Sequence, residues 1–347
     1  MKTLKKINGN TLLLLITIGL FIVMYIAGCA VYSQKGFTHL QTLLNILINN
    51  SGLLCVTCGM TCVMLTGGID ISVGAVVAIS AAVVCTLIGG RGDGVAETPM
   101  FLAILAAVGI GILCGLWNGL LVAKFKIQAV VATLILMTAG RGIAQLMTEG
   151  QIITVYYKPF AYISGVIPGM PLPTNIFIAL AMVLLVVIVM KKTSIGLFVQ
   201  SVGINATAAK HVGINVTMVL FLVYAFSGFC AGVSGLIESS FIRAADANNA
   251  GLNMEMDAIL AVALGGTLLS GGKFYLGGSV IGAITIQTLT TTMYAMGISA
   301  DQLPVVKAIA VIIICLIQSN KARELFEKWK GNRNDSASVT TKVKAVE

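Results

Sequence analysis

The chain has 347 residues, of which 57% are hydrophobic and only 10% are charged, with a formal net charge of +9. About a quarter of the residues in soluble domains are charged, so this composition excludes an ordinary soluble protein. A basic surplus can indicate nucleic-acid binding, but these lysines and arginines stand between apolar runs and at both ends of the chain. Because a membrane span needs about 20 mostly apolar residues, the sequence favours a polytopic membrane protein.

Apolar stretches recur along the chain and predict an all-α fold of about ten transmembrane helices. The first five predicted spans are Thr11 to Val31, Leu40 to Leu65, Ile71 to Ile88, Phe101 to Ala123 and Ala129 to Met147. The second five are Thr174 to Met190, Val216 to Ile237, Ala258 to Ser270, Phe274 to Met296 and Leu303 to Ser319. We expect one transmembrane domain over residues 1–320 and a disordered cytoplasmic tail over residues 321–347.

The basic residues predict the orientation of these spans. With both termini in the cytoplasm, most of the 22 lysines and arginines fall on the inner side. The outer segments then hold Lys35, Arg91, Lys158 and Arg243, while Arg141 and Lys307 lie within or at the edge of spans. This bias follows the positive-inside rule and places both termini in the cytoplasm.

Two cysteine patterns leave alternatives open. Lys2, Lys5 and Lys6 precede an apolar run that ends in Ile26-Ala27-Gly28-Cys29, which is also typical of a lipoprotein signal that is cleaved before the cysteine. Cys55, Cys58 and Cys62 repeat on one helical face and could be read as metal ligands. Because neither histidine of the chain lies in this segment, we interpret the three as small hydrophobic residues and expect no metal site.

Small residues mark helix packing and an internal repeat. Gly111, Gly115 and Gly119 form one row at every fourth position, and Gly228 with Gly232 and Gly278 with Gly282 form others, which predicts close helix contacts. Leu65-Thr66-Gly67-Gly68 recurs as Leu269-Ser270-Gly271-Gly272, and Gly74 recurs as Gly278. Glycine-interrupted segments in matching halves of a transporter point to the substrate path.

A long inner segment, residues 191–215, is apolar enough to fold but too broken to cross a membrane. Thr193 or Ser194 can cap a short helix that ends at Gly203, and Asn205 can cap a second one, Ala206 to His211, before Gly213. So short a helix is marginal in water, so we expect it to dock on a partner. A plain surface loop is the alternative.

The chain offers no machinery for converting energy. Gly272-Lys273 is the nearest approach to a phosphate-binding loop, but Thr267 and Phe274 stand where a glycine and a serine or threonine belong. Ion-coupled carriers usually have a carboxylate within a span, whereas the acids here are expected in loops or at span edges, with Asp70 the closest. We therefore expect no catalytic residue and no ATPase site in this chain, and an ion-coupled secondary sugar transporter stays the alternative.

Three groups of motifs resemble the permease subunits of the ribose and monosaccharide ATP-binding-cassette importers. The resemblance rests on Thr66 to Gly74, on Gly203-Ile204-Asn205 with Ala208-Ala209 and Gly213-Ile214, and on Leu264-Gly265-Gly266. Gly115 to Gly119, Ala139 to Gly142 with Gln145, and Ala244 to Leu252 look more like galactofuranose permeases. The similarity implies a second permease subunit, identical or different, and a cytoplasmic ATPase that binds ATP and magnesium. It also implies an extracytoplasmic sugar-binding protein and a location in the bacterial inner membrane. Galactofuranose, ribose or another pentose or hexose could be the sugar.

Polar residues inside the predicted spans are candidates for the translocation pathway, because polar groups rarely face lipid. We select Asn45, Asn49, Asp70, Trp117, Asn118, Arg141, Gln145 and Gln287, for which interhelical hydrogen bonding is the alternative role. The candidates for coupling to the ATPase are Gly203, Asn205, Ala208, Ala209 and Gly213. Charges of mixed sign in the outer segment, residues 238–257, predict docking of the binding protein through Arg243, Asp246, Asn248, Asn249 and Glu255.

Overall fold

The computed structural model describes residues 9–31, 37, 39–89, 95–299 and 301–318, and most of these residues are helical. The predicted tail and the basic residues Lys2, Lys5, Lys6, Lys35 and Arg91 lie outside the described residues. The first seven helices are α1 (Gly9–Val31), α2 (Leu40–Asn49), α3 (Ser51–Leu65), α4 (Val73–Ile88), α5 (Met100–Gly119), α6 (Ala129–Met147) and α7 (Thr174–Lys192). The remaining six are α8 (Ser194–Ile204), α9 (Ala206–His211), α10 (Val216–Ile242), α11 (Met254–Leu264), α12 (Leu276–Ala295) and α13 (Leu303–Gln318).

Short irregular elements complete this set. A π-helical turn, Leu120–Lys124, extends α5, and a 3-10 helix covers Lys158–Ile163. Two short strands, β1 (Ile153–Thr154) and β2 (Ala244–Ala245), pair antiparallel with Ile153 opposite Ala245. The chain divides into two compact units at Thr291, and α13 belongs to the second.

Among the described residues, four continuous helices are long and apolar enough to cross a membrane. They are Met100–Lys124, Ala129–Met147, Thr174–Lys192 and Val216–Ile242, and each coincides with a span that the sequence predicts. The pair of α2 and α3 makes a fifth if it counts as one broken span. Ten spans and cytoplasmic termini stay predictions.

The predicted span Leu40 to Leu65 is not one straight helix. It bends by 48° where α2 gives way to α3, around Asn50. Ser51 donates its hydroxyl to the carbonyl of Leu47 at 3.0 Å, and Gly52 follows. Such serine back-bonding and a neighbouring glycine are common causes of helix bends.

Two further predicted spans are shorter than expected. The helix predicted from Ile71 begins only at Val73, because Gly67, with φ of +78°, and the residues after it form a loop before α4. The helix predicted over Ala258 to Ser270 is α11, which has 11 residues and ends before Gly265 and Gly266. Gly266 has φ of +87°, a conformation that glycine adopts easily and that stops the helix. A helix of this length is too short to cross a bilayer.

The glycine rows pack as the sequence predicts, and they place α10 against its neighbours. A Cβ at Gly111 of α5 would lie only 2.6 Å from the carbonyl oxygen of Gly228 in α10, so the two backbones touch. Gly278 and Gly282 of α12 approach the backbone in the same manner at Gly265, directly after α11, and at Ala261 within α11. Close backbone approach through small residues is the usual packing mode of membrane helices.

The three cysteines of α3 are buried, as the interpretation as small hydrophobic residues requires. Gly59, between Cys58 and Cys62, packs on α10, where a Cβ on this glycine would lie 3.1 Å from the Cβ of Cys230. All seven described cysteines are free, Cys29 among them. Whether the chain is processed at Cys29 stays an open alternative.

Candidate translocation and coupling sites

Asp70 is the centre of a buried polar network between α3 and α4, where its side chain is 1% exposed. One carboxylate oxygen accepts hydrogen bonds from the Ser72 amide at 3.1 Å and from the Ser72 hydroxyl at 2.6 Å. The other accepts from the hydroxyl of Ser227 in α10 at 2.8 Å. A buried carboxylate needs such donors, because burial without them is costly.

Side chains of α5 and α6 also form hydrogen bonds with the loop that contains Asp70, residues 66–72. Asn118 of α5 donates from its side-chain nitrogen to the Ser72 hydroxyl at 2.8 Å and lies 3.5 Å from Asp70. Thr133 of α6 accepts a hydrogen bond from the amide of Ile71 at 3.1 Å. The structure therefore brings together two of the predicted pathway residues, Asp70 and Asn118, as a fixed junction of α4, α5, α6 and α10. Trp117, next in sequence to Asn118, is instead 50% exposed.

Arg141 of α6 forms hydrogen bonds with the connection between α10 and α11, residues 243–253. Its guanidinium donates from Nη1 to the carbonyl oxygen of Ala247 at 3.0 Å and to that of Ala250 at 2.6 Å. One turn later, Gln145 donates from Nε2 to Oδ1 of Asn248 at 2.6 Å. One face of α6 thus clamps the α10–α11 connection.

The connection is also ordered from within by Asp246. Its carboxylate accepts from the Asn248 amide at 3.0 Å, from the Asn249 amide at 3.2 Å and from the Asn249 side chain at 2.7 Å. Partial burial acts to raise the pKa of this carboxyl, but the hydrogen bonds from Asn249 and Asn248 and the nearby charge of Arg141 hold that pKa below its ordinary value. Residues predicted separately for the pathway and for docking therefore form one structure.

The exposed face predicted for the docking segment does not include one of its carboxylates. Glu255 is 2% exposed and packs against Gly74 at the start of α4, because α11 is buried against α3 and α4. Glu238 lies inside α10, and one of its carboxylate oxygens is 2.5 Å from where a Cβ of Gly52 would stand. Arg243 is exposed, with φ of +53°, and its carbonyl accepts from the Val155 amide at 2.8 Å. Because α10 continues to Ile242, Glu238 lies near the end of this span and not in the loop that was expected after Ile237.

The inner segment, residues 191–215, folds as two short helices, α8 and α9, close to the predicted bounds. Asn205 caps α9 as expected, since its side-chain oxygen accepts from the Ala208 amide at 2.9 Å. Thr193 does not cap α8, because its hydroxyl donates back to the carbonyl of Val189 at 2.6 Å. In α9, Ala208 is exposed and Ala209 is buried, so the predicted pair faces two different environments. Gly213, with φ of +86°, follows α9.

The two copies of the internal repeat meet at the end of α8. The Gly272 amide donates to the carbonyl oxygen of Leu65 at 2.9 Å, which joins the second copy to the first. A Cβ at Gly271 would lie 2.8 Å from the Gly67 nitrogen. At Gly203 a Cβ would overlap the Leu65 carbonyl oxygen and lie 3.0 Å from the Gly272 nitrogen. The predicted coupling segment therefore touches both copies of the repeat.

The remaining pathway candidates stand apart from these contacts. Asn45 and Asn49 are exposed on α2, where Asn45 accepts a hydrogen bond from Gln41 at 3.0 Å. Gln287 is half-buried in α12, and its carbonyl accepts from the Thr291 hydroxyl at 2.9 Å. The described hydrogen bonds join none of the three to Asp70 or Arg141.

Sequence reasoning missed three polar residues of the site. Ser227 contacts Asp70, and the hydroxyl of Tyr224, one turn earlier in α10, is buried beside Gly68 without a hydrogen-bond partner among the described residues. Asn50, at the bend between α2 and α3, is buried with both side-chain polar atoms unpaired within the described part of the chain. The three-residue spacing of Tyr224 and Ser227 was the available signal, because it places both on one face of α10.

Comparisons with known proteins follow the same motifs. The family described as "Branched-chain amino acid transport system / permease component" matches residues 42–317. The galactofuranose transporter permease YtfT of Escherichia coli (strain K12) is 47% identical over 264 residues, which are 76% of this chain and 75% of that protein. The fructose import permease FruF of Bifidobacterium longum (strain NCC 2705) is 38% identical over 88% of this chain and 83% of its own length.

The ribose import permease RbsC of Bacillus subtilis (strain 168) is 37% identical over 310 residues, which are 88% of this chain and 92% of that protein. No solved structure gives a significant match. The similarity to sugar import permeases confirms the resemblance that the motifs carry, and the chain belongs to this family of transport-system permease components.

Proposed function

We propose that the chain is the membrane-spanning permease subunit of an ATP-driven importer that carries a monosaccharide across the bacterial inner membrane. The observation that carries this proposal is the similarity, over three quarters or more of the chain, to permeases named for galactofuranose, fructose and ribose. The apolar helices supply the membrane part, since four described helices are long enough to span a bilayer. Galactofuranose is the first sugar to test, because the permease named for it is 47% identical.

The partners in this proposal divide the work. A cytoplasmic ATPase binds ATP and magnesium and docks on the coupling segment, residues 191–215. An extracytoplasmic binding protein delivers the sugar, and a second permease subunit, identical or different, completes the pore. The contact of Gly203 with Leu65 and Gly272 supports this assignment, because a movement of α8 would act directly on both repeat copies.

Two kinds of residue would serve the pathway. Asp70 and Asn118 are buried and hydrogen-bonded, so we propose that they hold α4, α5 and α10 in register. Arg141 and Gln145 bind the α10–α11 connection, and we propose that they keep it in place over the path when the pore is closed on that side. Asn45, Asn49, Trp117 and Gln287 stay candidates for sugar contact.

Docking of the binding protein would use the exposed part of the α10–α11 connection. Arg243, Asn248 and Asn249 are exposed there, and Asp246 is half-buried beside them, whereas Glu255 is buried and is excluded. Charge reversal by Arg243→Glu should weaken stimulation of the ATPase by the binding protein at low salt, because charges at such surfaces steer association. Unchanged stimulation would place docking elsewhere.

Uptake measurements test the proposed class. In cells whose ATP is maintained, uptake of the sugar should continue after a protonophore is added and should stop when ATP is depleted. Loss of uptake under the first condition alone would instead indicate an ion-coupled carrier. Purification in mild detergent gives a second test, since an ATPase chain should remain bound to this protein.

A further inference from the structure

A cavity of about 440 Å³ lies between α7, α8 and α10, with α3 behind it. Its wall is apolar and includes Val189 and Met190 from α7, Ile195 and Phe198 from α8, and Leu222 and Phe226 from α10. Ligand pockets commonly have volumes of about 300 to 1,000 Å³, so the cavity is large enough for a ligand. Among the described residues of its wall, only Cys62 has a polar side-chain group, a thiol, and none is charged. Such a wall suits a hydrocarbon chain and does not suit a sugar.

Two charges stand next to this cavity. Lys191 and Lys192 are exposed and lie in sequence between the wall residues Met190 and Ile195. Neither lysine forms a salt bridge with another residue in the part of the chain that the structure describes. They also end α7, on the side that the distribution of basic residues predicts to be cytoplasmic. Basic sites between membrane helices on that side attract anionic lipid head groups.

We propose that an anionic phospholipid of the bilayer inserts one acyl chain into this cavity while its head group binds Lys191 and Lys192. Two of the helices around the cavity, α7 and α10, are long and apolar enough to span a membrane, so in a bilayer both would contact lipid. The third, α8, belongs to the proposed coupling segment. The lipid fills the space between α8 and the two spans and so stabilises the position of α8.

Native mass spectrometry of the full-length protein in detergent tests this proposal, with phosphatidylglycerol and phosphatidylethanolamine added separately. The wild type should retain one phosphatidylglycerol at least tenfold more strongly than phosphatidylethanolamine. Val189→Phe, which narrows the cavity, should reduce this retention severalfold, and so should the double variant Lys191→Gln with Lys192→Gln. The matched controls Ile188→Phe, at an exposed neighbour in α7, and Lys124→Gln should retain the lipid as the wild type does.

A phosphatidylglycerol with a photoreactive group at the end of one acyl chain tests the position of the chain. Crosslinks should fall on peptides of α7, α8 or α10 that line the cavity, and they should decrease in Val189→Phe but not in Ile188→Phe. Crosslinks outside the cavity, or equal crosslinking in both variants, would overturn the proposal even if the lysine variants lose lipid. Crosslinking between two copies of the chain through this cavity, with no retained lipid, would assign it to a subunit contact instead.

Discussion

Gly203 of α8 and Leu65 of α3 are in backbone contact, and the space between them admits no side chain at residue 203. A Cβ there would overlap the Leu65 carbonyl oxygen, which is also the acceptor of the hydrogen bond from the Gly272 amide. The contact joins the proposed coupling segment to both copies of the internal repeat. We therefore expect a displacement of α8 to move the loops that precede α4 and α12.

Gly203→Ala should uncouple ATP hydrolysis from transport. Alanine favours a helix over glycine by about 1 kcal/mol, so a gain in the stability of α8 is expected if no neighbour interferes. Here the added methyl group must push α8 away from Leu65, and transport should fall at least tenfold while the protein still inserts. Uptake and ATPase activity of the reconstituted complex, measured together, check this result.

Gly109→Ala in α5 is the matched control for that variant. A Cβ at Gly109 meets no atom of the described residues within 4 Å, so only the gain in helix propensity remains. Transport by Gly109→Ala should equal that of the wild type. If Gly203→Ala also transports normally, the contact between α8 and the repeat does not transmit the movement.

Arg141→Leu should insert into the membrane and lose most transport. The substitution removes the donor to the Ala247 and Ala250 carbonyls, so the α10–α11 connection loses its attachment to α6. A hydrogen bond to a charged group contributes about 1.5 to 3 kcal/mol, which is enough to loosen a connection of this length. Protease cleavage between residues 243 and 253 should become faster, and uptake measures the loss of function.

Arg141→Lys distinguishes the effect of the positive charge at residue 141 from the effect of the planar guanidinium geometry. Lysine keeps the charge but has one terminal nitrogen on a flexible stem in place of a planar guanidinium, so it should restore transport only in part. Full activity of Arg141→Leu would show that the guanidinium is incidental. Rapid cleavage without loss of uptake would show that the connection does not close the path.

The sequence was informative where one local rule decides the structure. Asn205 caps α9, and the glycine rows of α5 and α10 interlock, because capping and close packing depend on residues at fixed spacing. The four described helices that are long and apolar enough to cross a membrane were predicted from the length of their apolar runs. Hydropathy alone could not show that α11 stops after 11 residues, since Gly265 and Gly266 are uncharged and the apolar residues Leu268 and Leu269 follow them.

Contacts between distant segments lay beyond sequence reasoning. Arg141 and Gln145 were selected as isolated polar residues of a span, and Asp246 and Asn248 as a surface for docking, but the fold brings the two sets together. Likewise, the polar stretch around Glu255 predicts an exposed carboxylate, and only the packing of α11 against α4 buries it. Separations of about a hundred residues leave no local pattern that could reveal such pairs.

Acidification should loosen the α10–α11 connection through Asp246. The pKa of this carboxyl is lower in the folded protein than in the unfolded chain, so its contribution to stability is present at neutral pH and is lost as the pH falls through the folded value. Protease cleavage of residues 243–253 should therefore accelerate below about pH 4, the ordinary aspartate value, and Asp246→Asn should flatten this dependence.

Asp301→Asn, at an exposed aspartate in the second unit of the chain, controls for the general loss of carboxylate charge. Its cleavage profile should follow that of the wild type at every pH. An unchanged pH profile in Asp246→Asn would mean that the hydrogen bonds to Asn248 and Asn249 do not order the connection.

Variants in α9 distinguish the folding of this helix from its docking on the ATPase within the proposed coupling segment. Asn205→Val removes the side-chain cap of the Ala208 amide, which should destabilise α9 locally by about 0.5 to 2 kcal/mol. Ala208 is exposed, so Ala208→Leu should leave α9 folded but obstruct the cleft of the ATPase that receives it. Ala209 is buried, so Ala209→Leu should instead overfill the packing of α9 on this chain and lower its thermal stability.

Co-purification and uptake distinguish these variants. Ala208→Leu should keep the melting temperature of the isolated permease and lose bound ATPase and uptake together, whereas Ala139→Leu, at an exposed alanine of α6, should keep both. Asn205→Val should lower association severalfold, because part of the binding energy must then order α9. A bulky group at an exposed docking residue should disrupt the contact with the ATPase. If Ala208→Leu loses uptake but keeps a bound ATPase that the sugar-loaded binding protein still stimulates, the ATPase docks elsewhere.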